Sequence, residues 1–309
     1  VVESKCDITL LDVTLRDGGY VNGHSWTTRE AEAIVRAVGA AGVPYVEVGY
    51  LREAHQPHRP SASCPPGYLD ALAAVADRPQ LTVMVRPGEV PVSRIAELPG
   101  CGVSMVRVLV PGGAVATAAP YVEAARATGL AVATNLTRVS ERKQDEIAAV
   151  IAACVEAGAH LVYLADSNGS LDPETVAAQV GAATAACPVP VGFHPHDNLG
   201  LAFINTKAAM AAGATAVDAS IAGIGKGGGN LRLEVVVAHL IVRHGADLRL
   251  DPIAADQTTL ATQLRMLADG TTKAVLTGLL DLNLDGAAEF DDLVAENGYD
   301  AALLTLSHR

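Results

Sequence analysis

Eight times along these 309 residues, a short apolar run rich in Val, Ile and Leu gives way to an Ala-rich stretch with helical spacing. The runs lie at about 8–13, 45–49, 81–86, 104–110, 130–135, 160–165, 189–193 and 214–221. Such runs are nearly continuous rather than alternating, as strands covered on their outer face require. Strands that alternate regularly with helices pair in parallel, and eight such units over some 240 residues match the length of a (β/α)8 TIM barrel. A doubly wound open sheet is the competing architecture, but the dinucleotide glycine fingerprint is missing after the first strand. From about Asp251 the alternation stops. We therefore divide the chain into a barrel over 1–245 and a C-terminal helical extension over 246–309.

Local signals agree with this order. Thr27 and Glu30 form a capping box for a helix running to about Ala41. Asp172-Pro173-Glu174 supplies an N-cap with proline in the first turn. Further helices are expected at about 68–76, 115–128 and 199–212, a short one at 92–97, and another beginning near Leu231. The segment from Glu141 to Ala157 reads as the clearest amphipathic helix. A long polar loop from Leu51 to Pro66 carries His55 and His58.

Composition narrows the function. A formal charge of −12 argues against nucleic acid and against an anionic membrane surface. Five scattered cysteines without a CxxC pair fit a reducing cytoplasm. Neither a basic-then-apolar leader nor a long apolar segment is present, so the expectation is a cytoplasmic protein outside the membrane.

In a barrel of this kind the chemistry sits at the C-terminal ends of the strands. Arg16 and Asp17 follow the first strand, Glu47 lies in the second, Arg86 ends the third and Arg107 lies within the fourth. Asn135 closes the fifth, Asp166 and Ser167 the sixth, and His194 and His196 the seventh. Side chains two apart on a strand share a face, so the two imidazoles converge. With Asp17 they suit a divalent metal. The competing reading has them as exposed loop residues flanking a proline.

Four segments together resemble the DRE-TIM metallolyase (HMG-CoA-lyase-like) superfamily: Thr14-Leu15-Arg16-Asp17-Gly18, Val46-Glu47-Val48-Gly49, His194-Pro195-His196-Asp197-Asn198, and Gly223-Ile224-Gly225 through Gly229-Asn230. Ala165-Asp166-Ser167 and the segment from Val217 to Gly223 are most similar to its 4-hydroxy-2-oxovalerate aldolases. The resemblance implies that Asp17, His194 and His196 bind one divalent ion, Mn²⁺ foremost, with Mg²⁺, Co²⁺ or Zn²⁺ as alternatives. Asn230 matches a further ligand position and reads equally as a helix N-cap. Arg16 would donate to the 2-oxo oxygen of a substrate, or pair with Glu47 at the barrel mouth, or both. Ser167 would hold the substrate carboxylate. Arg107 and Glu47 are expected as supporting ion pairs.

The departure is Tyr20, which stands where those aldolases carry a histidine base. Tyr20 itself, a hydroxide at the metal, or His24 is the candidate base, and Tyr20 reads otherwise as a pocket wall. The implied activity is metal-dependent aldol chemistry on a 4-hydroxy-2-oxoacid, joining or parting a pyruvate or 2-oxobutyrate enolate and an aldehyde. An acyl-CoA-dependent Claisen-type enzyme and a non-catalytic metal-binding barrel are the rivals. The glycine segment lacks the cysteine of the acyl-CoA lyases, and the tail is short for a synthase regulatory domain. Lys226 in that segment reads as a solvated loop lysine. An aldehyde dehydrogenase is a candidate partner, and Leu279, Leu280, Leu303 and Leu304 fit either a homodimer contact or a cover over the barrel's own helices.

Overall fold

The computed structural model describes residues 8–256 except 55, 57 and 76, and residues 271–307. Eight strands form one closed parallel barrel. They are β1 (Thr9–Asp12), β2 (Tyr45–Leu51), β3 (Gln80–Val85) and β4 (Val103–Val110). They continue with β5 (Ala131–Leu136), β6 (Leu161–Asp166), β7 (Val191–Pro195) and β8 (Ala216–Ala219). The barrel closes where Leu11 of β1 lies opposite Asp218 of β8. This is the (β/α)8 fold expected from the alternation.

Outside the strands run α1 (Thr28–Ala40), α2 (Pro66–Ala73), α3 (Val115–Ala127) and α4 (Gln144–Ala157). The ring is completed by α5 (Pro173–Ala186), α6 (Ala202–Ala211) and α7 (Leu233–His244). The capping box of α1 is formed in full, with Thr27 Oγ1 accepting from Glu30 N at 3.2 Å. Between β3 and β4 the short helix expected is present, as a 3-10 helix over Val92–Cys101. Pro99 inside it has no N–H to give, which works against an α-helical ladder. The sharpest division of faces belongs to α1, which buries Ala31, Ile34, Val35 and Val38. In α4, Ala149 and Ala152 are exposed on the outer side and blunt the contrast, which corrects the expectation for that helix.

Strand alternation separates two cores. On β4, Val106, Val108 and Val110 face the helices and join the large outer core. Met105 instead joins Leu11, Val13, Ala133, Tyr163 and Ala216 in an inner plug. Arg107, two residues on from Met105, is fully buried with its guanidinium 4.1 Å over the Tyr163 ring. The plug therefore supports an ionic layer from below. On β2 the pairing register shifts between Glu47 and Tyr50, around Gly49 at φ 151°. A side chain there would run into the carbonyl of Ser61 and the sulfur of Cys64, so only glycine fits this bulge.

Beyond the barrel lie α8 (Asp251–Asp256), α9 (Thr271–Leu279) and α10 (Leu284–Ser307). Phe290, Ala302 and Leu306 make a small separate core with Leu276 and Leu280. Leu280 thus turns inward, while Leu279 is exposed; the side chains of Leu303 and Leu304 lie outside the described residues. Cys64, Cys101, Cys154 and Cys187 are free thiols, and Cys6 lies outside the described residues. No helix among the described residues is long and apolar enough to cross a membrane.

Candidate active site

At the C-terminal mouth, Asp17, His194 and His196 come together in burial, each with a ligand atom within 4.8 Å of the others. Asp17 sits in the tight turn after β1, whose backbone N–H bonds Val13 O at 2.8 Å. The two histidines project from the end of β7 with their rings 5.0 Å apart and nearly perpendicular. His194 Nε2 lies 3.4 Å and His196 Nε2 3.6 Å from Asp17 Oδ2. Both are buried, so the reading of exposed loop histidines is wrong.

The far nitrogen of each ring is already engaged. His194 Nδ1 is 2.8 Å from Asp218 Oδ2, and His196 Nδ1 is 3.1 Å from Gly229 O. With each Nδ1 proton given to its own acceptor, the two Nε2 atoms beside Asp17 are the ones left to ligate a cation once His194 gives up its second proton, the arrangement that metal-binding histidines adopt. Burial pushes His196 down to about 3, so its imidazole is neutral. Burial also opposes charge on His194, but Asp17 and Asp218 hold its proton above the ordinary imidazole value. For Asp17, burial favours the acid, yet Arg16, His196 and His194 keep it well below the usual carboxylate range. A carboxylate and two aligned imidazoles fit a divalent cation.

Asn230 adds to that fit. Its Nδ2 donates to Ile224 O at 3.0 Å, while its Oδ1 is buried without a partner. The bridge between Asn230 and His196 brings the two chain segments side by side. A side chain at Gly225 would collide with the Asn230 amide, so that glycine preserves its place. Asn230 is not the cap of α7; that position is Arg232.

Arg16 occupies the cavity floor. Its Nε bonds Glu47 at 2.6 Å and its Nη1 lies 3.2 Å from Asp17, while Nη2 is buried with no partner. Burial opposes the charge, but Glu47 and Asp17 hold the guanidinium well above its ordinary value. Glu47 also takes Arg107 Nη1 at 3.2 Å, and Arg107 Nη2 reaches Asp218 at 2.6 Å. One connected layer thus runs Asp17–Arg16–Glu47–Arg107–Asp218–His194, and the expected supporting pairs are present in it.

The cavity above is walled by Tyr20, Tyr50, Arg86, Leu109, Asn135, Arg138, Ser167 and Lys226, among others. Tyr20 is 40% exposed, and its hydroxyl lies 3.0 Å from the Tyr50 hydroxyl. Burial raises Tyr50 far above an ordinary phenol, so it stays protonated. His24 stands behind Tyr20, its ring centroid 5.2 Å away, and is not part of the cavity wall. Burial pushes it to about 4. Ser167 Oγ accepts from the backbone N–H of Arg138 at 3.0 Å, leaving its own hydrogen free to turn into the cavity. Lys226 is not a solvated loop lysine. It lines the cavity, its amine reaches Ser167 O at 3.4 Å, and its backbone N–H meets Asp17 Oδ1 at 3.3 Å. Burial lowers its pKa. His58 lies exposed, and His55 lies outside the described residues.

Sequence reasoning missed three residues here: Tyr50, whose hydroxyl meets that of Tyr20, and two that hold other side chains in place. Asp218 fixes the ring of His194, and Arg138, at φ 58°, anchors Ser167 from the left-handed region. Asp218 stood in the sequence only as a member of the segment from Val217 to Gly223, with no role of its own, and nothing marked Arg138.

The HMGL-like family model matches residues 7–267. A protein named 4-hydroxy-2-oxovalerate aldolase from Geobacillus genomosp. 3 is 32% identical over 247 residues, covering 79% of this chain and 73% of that one. One named oxaloacetate decarboxylase from Mycobacterium tuberculosis (strain ATCC 25618 / H37Rv) is 33% identical with the same coverage of both chains. Among solved structures, the N-terminal domain of a proposed aldolase from Bacteroides vulgatus superposes with a TM-score of 0.85. At 24% identity, over 96% of this chain and 100% of the other, that likeness is one of fold. With the family model spanning most of the chain and such relatives matched over most of their own length, this protein belongs to the HMGL-like family and is an enzyme, a carbon–carbon lyase.

Proposed function

We propose that the site makes or breaks the C3–C4 bond of a 4-hydroxy-2-oxoacid, with a pyruvate or 2-oxobutyrate enolate on one side and an aldehyde on the other. The observation that carries this is the unpartnered Arg16 Nη2, buried on the cavity floor beside the Asp17–His194–His196 cluster. Those three residues would hold a divalent ion, Mn²⁺ first among Mg²⁺, Co²⁺ and Zn²⁺, with Asn230 Oδ1 as a further donor. When bound, the ion supplies Lewis acidity toward the 2-oxo end of the substrate.

In cleavage, the Tyr20 oxygen takes the 4-hydroxyl proton while its own proton passes to solvent. Tyr50, kept protonated, donates to that oxygen and orients it. The O–H electron pair becomes the aldehyde C=O, and the C3–C4 pair moves into the C2–C3 bond as charge gathers on the 2-oxo oxygen. Arg16 Nη2 donates there, where negative charge is largest in the transition state. Ser167 donates to the carboxylate. The freed C3 carbon then takes a proton to give the 2-oxoacid, and addition runs the same steps backward.

The proposal assigns the catalytic barrel to 1–245 and the helical extension to 246–309. It includes a homodimer, since Val275 and Leu279 stand exposed one turn apart on α9, and an aldehyde dehydrogenase to take up product. The relative named oxaloacetate decarboxylase supports a 2-oxoacid enolate at the same site by a different bond cleavage.

Pyruvate and Mn²⁺ in D₂O test this directly. Loss of the methyl proton signal is expected, and its absence contradicts the proposal. A thioester-dependent condensing enzyme stays silent until thioester is added, and a non-catalytic barrel stays silent throughout. Tyr20→Phe should lower kcat for aldol cleavage by about 10²–10⁴-fold, the range for losing a proton-transfer group.

A further inference from the structure

Around the outer wall of the cavity, positive charge exceeds negative. Arg86 follows β3 and lines the cavity, and Arg52 lies over the Tyr50 ring, 4.7 Å from its centroid. The two guanidinium groups share one carboxylate, Glu89. Arg52 Nε bonds its Oε2 at 2.6 Å, and Arg86 Nε lies 3.3 Å from its Oε1 without the geometry of a hydrogen bond. Arg52 thus has the firmer hold on Glu89, and Arg86 retains unused donors beside the cavity.

Position in the barrel says which part of a substrate meets those donors. In a closed ring of eight strands, β3 stands across the mouth from β7, which carries His194 and His196. Ser167 follows β6 and Arg138 follows β5, so the groups suited to a 2-oxoacid carboxylate sit on the β5–β7 side. Arg138 and Lys226 share that side with Glu141, 3.9 Å from Arg138 Nη1. A chain held at its 2-oxo end by β6, β7 and β1 extends its C4 end toward Tyr20, Tyr50 and Arg86. On a chain of formal charge −12, a cation placed there and sharing its one carboxylate with Arg52 selects for an anion.

We propose that the aldehyde partner carries a negatively charged group, a carboxylate or a phosphate, and that Arg86 receives it as a specificity-determining residue. This rests on the aldolase proposal above and narrows its substrate class. A guanidinium suits either anion, since both accept paired N–H bonds.

The test is a competition among acceptors for pyruvate and Mn²⁺, with the D₂O exchange run on the unmutated enzyme alongside. Propanal and butanal serve as neutral acceptors, succinic semialdehyde as the carboxylate and glyceraldehyde 3-phosphate as the phosphate. The expected result is kcat/KM higher by about tenfold or more for one of the charged acceptors, the scale of one charge-assisted contact. Which of the two leads identifies the anion. In Arg86→Met that ratio of charged to neutral acceptor should collapse toward unity, and Arg86→Lys should recover part of it. Equal or better use of the neutral aldehydes by the unmutated enzyme overturns the proposal, whether or not the variants fold. A ratio unchanged in Arg86→Met overturns the role of Arg86. Absence of proton exchange overturns the aldolase proposal itself, and this one with it.

Discussion

Each imidazole at the barrel mouth has one nitrogen committed to a fixed acceptor, and that commitment decides what the other nitrogen offers. Asp218 serves His194 and Arg107 at once, at 2.8 Å and 2.6 Å. Asp218→Asn should therefore weaken metal binding by about 10–100-fold, the usual effect of losing a carboxylate behind a ligating histidine. It should also destabilise the fold by about 3–5 kcal/mol, because Arg107 is left buried with only Glu47. Metal titration and urea unfolding measure the two effects separately. His194 and His196 were legible in the sequence because a spacing of two on a strand puts them on one face. Asp218 was not, since one carboxylate in an apolar run does not announce a partner 111 residues away. Lys226 was misread for a related reason. A glycine-rich segment looks solvated until it is seen folding back so that its backbone touches Asp17.

Among the elements, α1 is the one whose ends and faces the sequence states most completely. Its capping box, its buried stripe and its length all follow from residues 27–40. Thr27→Ala should cost about 1 kcal/mol, the typical loss for an N-cap hydroxyl. Unfolding in urea should show that shift while the aldol rate stays the same, because Thr27 is remote from the cavity wall. Elements were harder to read where backbone chemistry overrides side-chain pattern. The bulge at Gly49 depends on a close approach by the Ser61 carbonyl, which no local pattern encodes. The 3-10 helix before β4 holds apolar spacing like an α-helix, but Pro99 denies it the matching hydrogen bonds.

For the molecule as a whole, the count of strand–helix units carried the fold, because parallel strands buried on both faces leave a long, regular trace of Val, Ile and Leu. The tail leaves no such trace, and its small core around Phe290 is assembled from residues without a period long enough to read. Overall charge leaves room for a local exception, and the barrel mouth is one. The chain is strongly acidic, yet its one ionic mouth gathers Arg16, Arg86, Arg138 and Lys226 around a buried carboxylate. All of this organisation converges on Asp17, His194 and His196, so titration of the metal-free protein with Mn²⁺ across pH tests it most directly. With no cation bound, His194 holds its proton above the ordinary imidazole value, and a cation at Nε2 must displace that proton. The expected result is a single ion per chain, bound weakly at acidic pH and more tightly as pH rises through the range where His194 deprotonates. That binding should be lost in Asp17→Ala and His196→Ala. Binding of equal strength in those variants, or none at any pH, would contradict it.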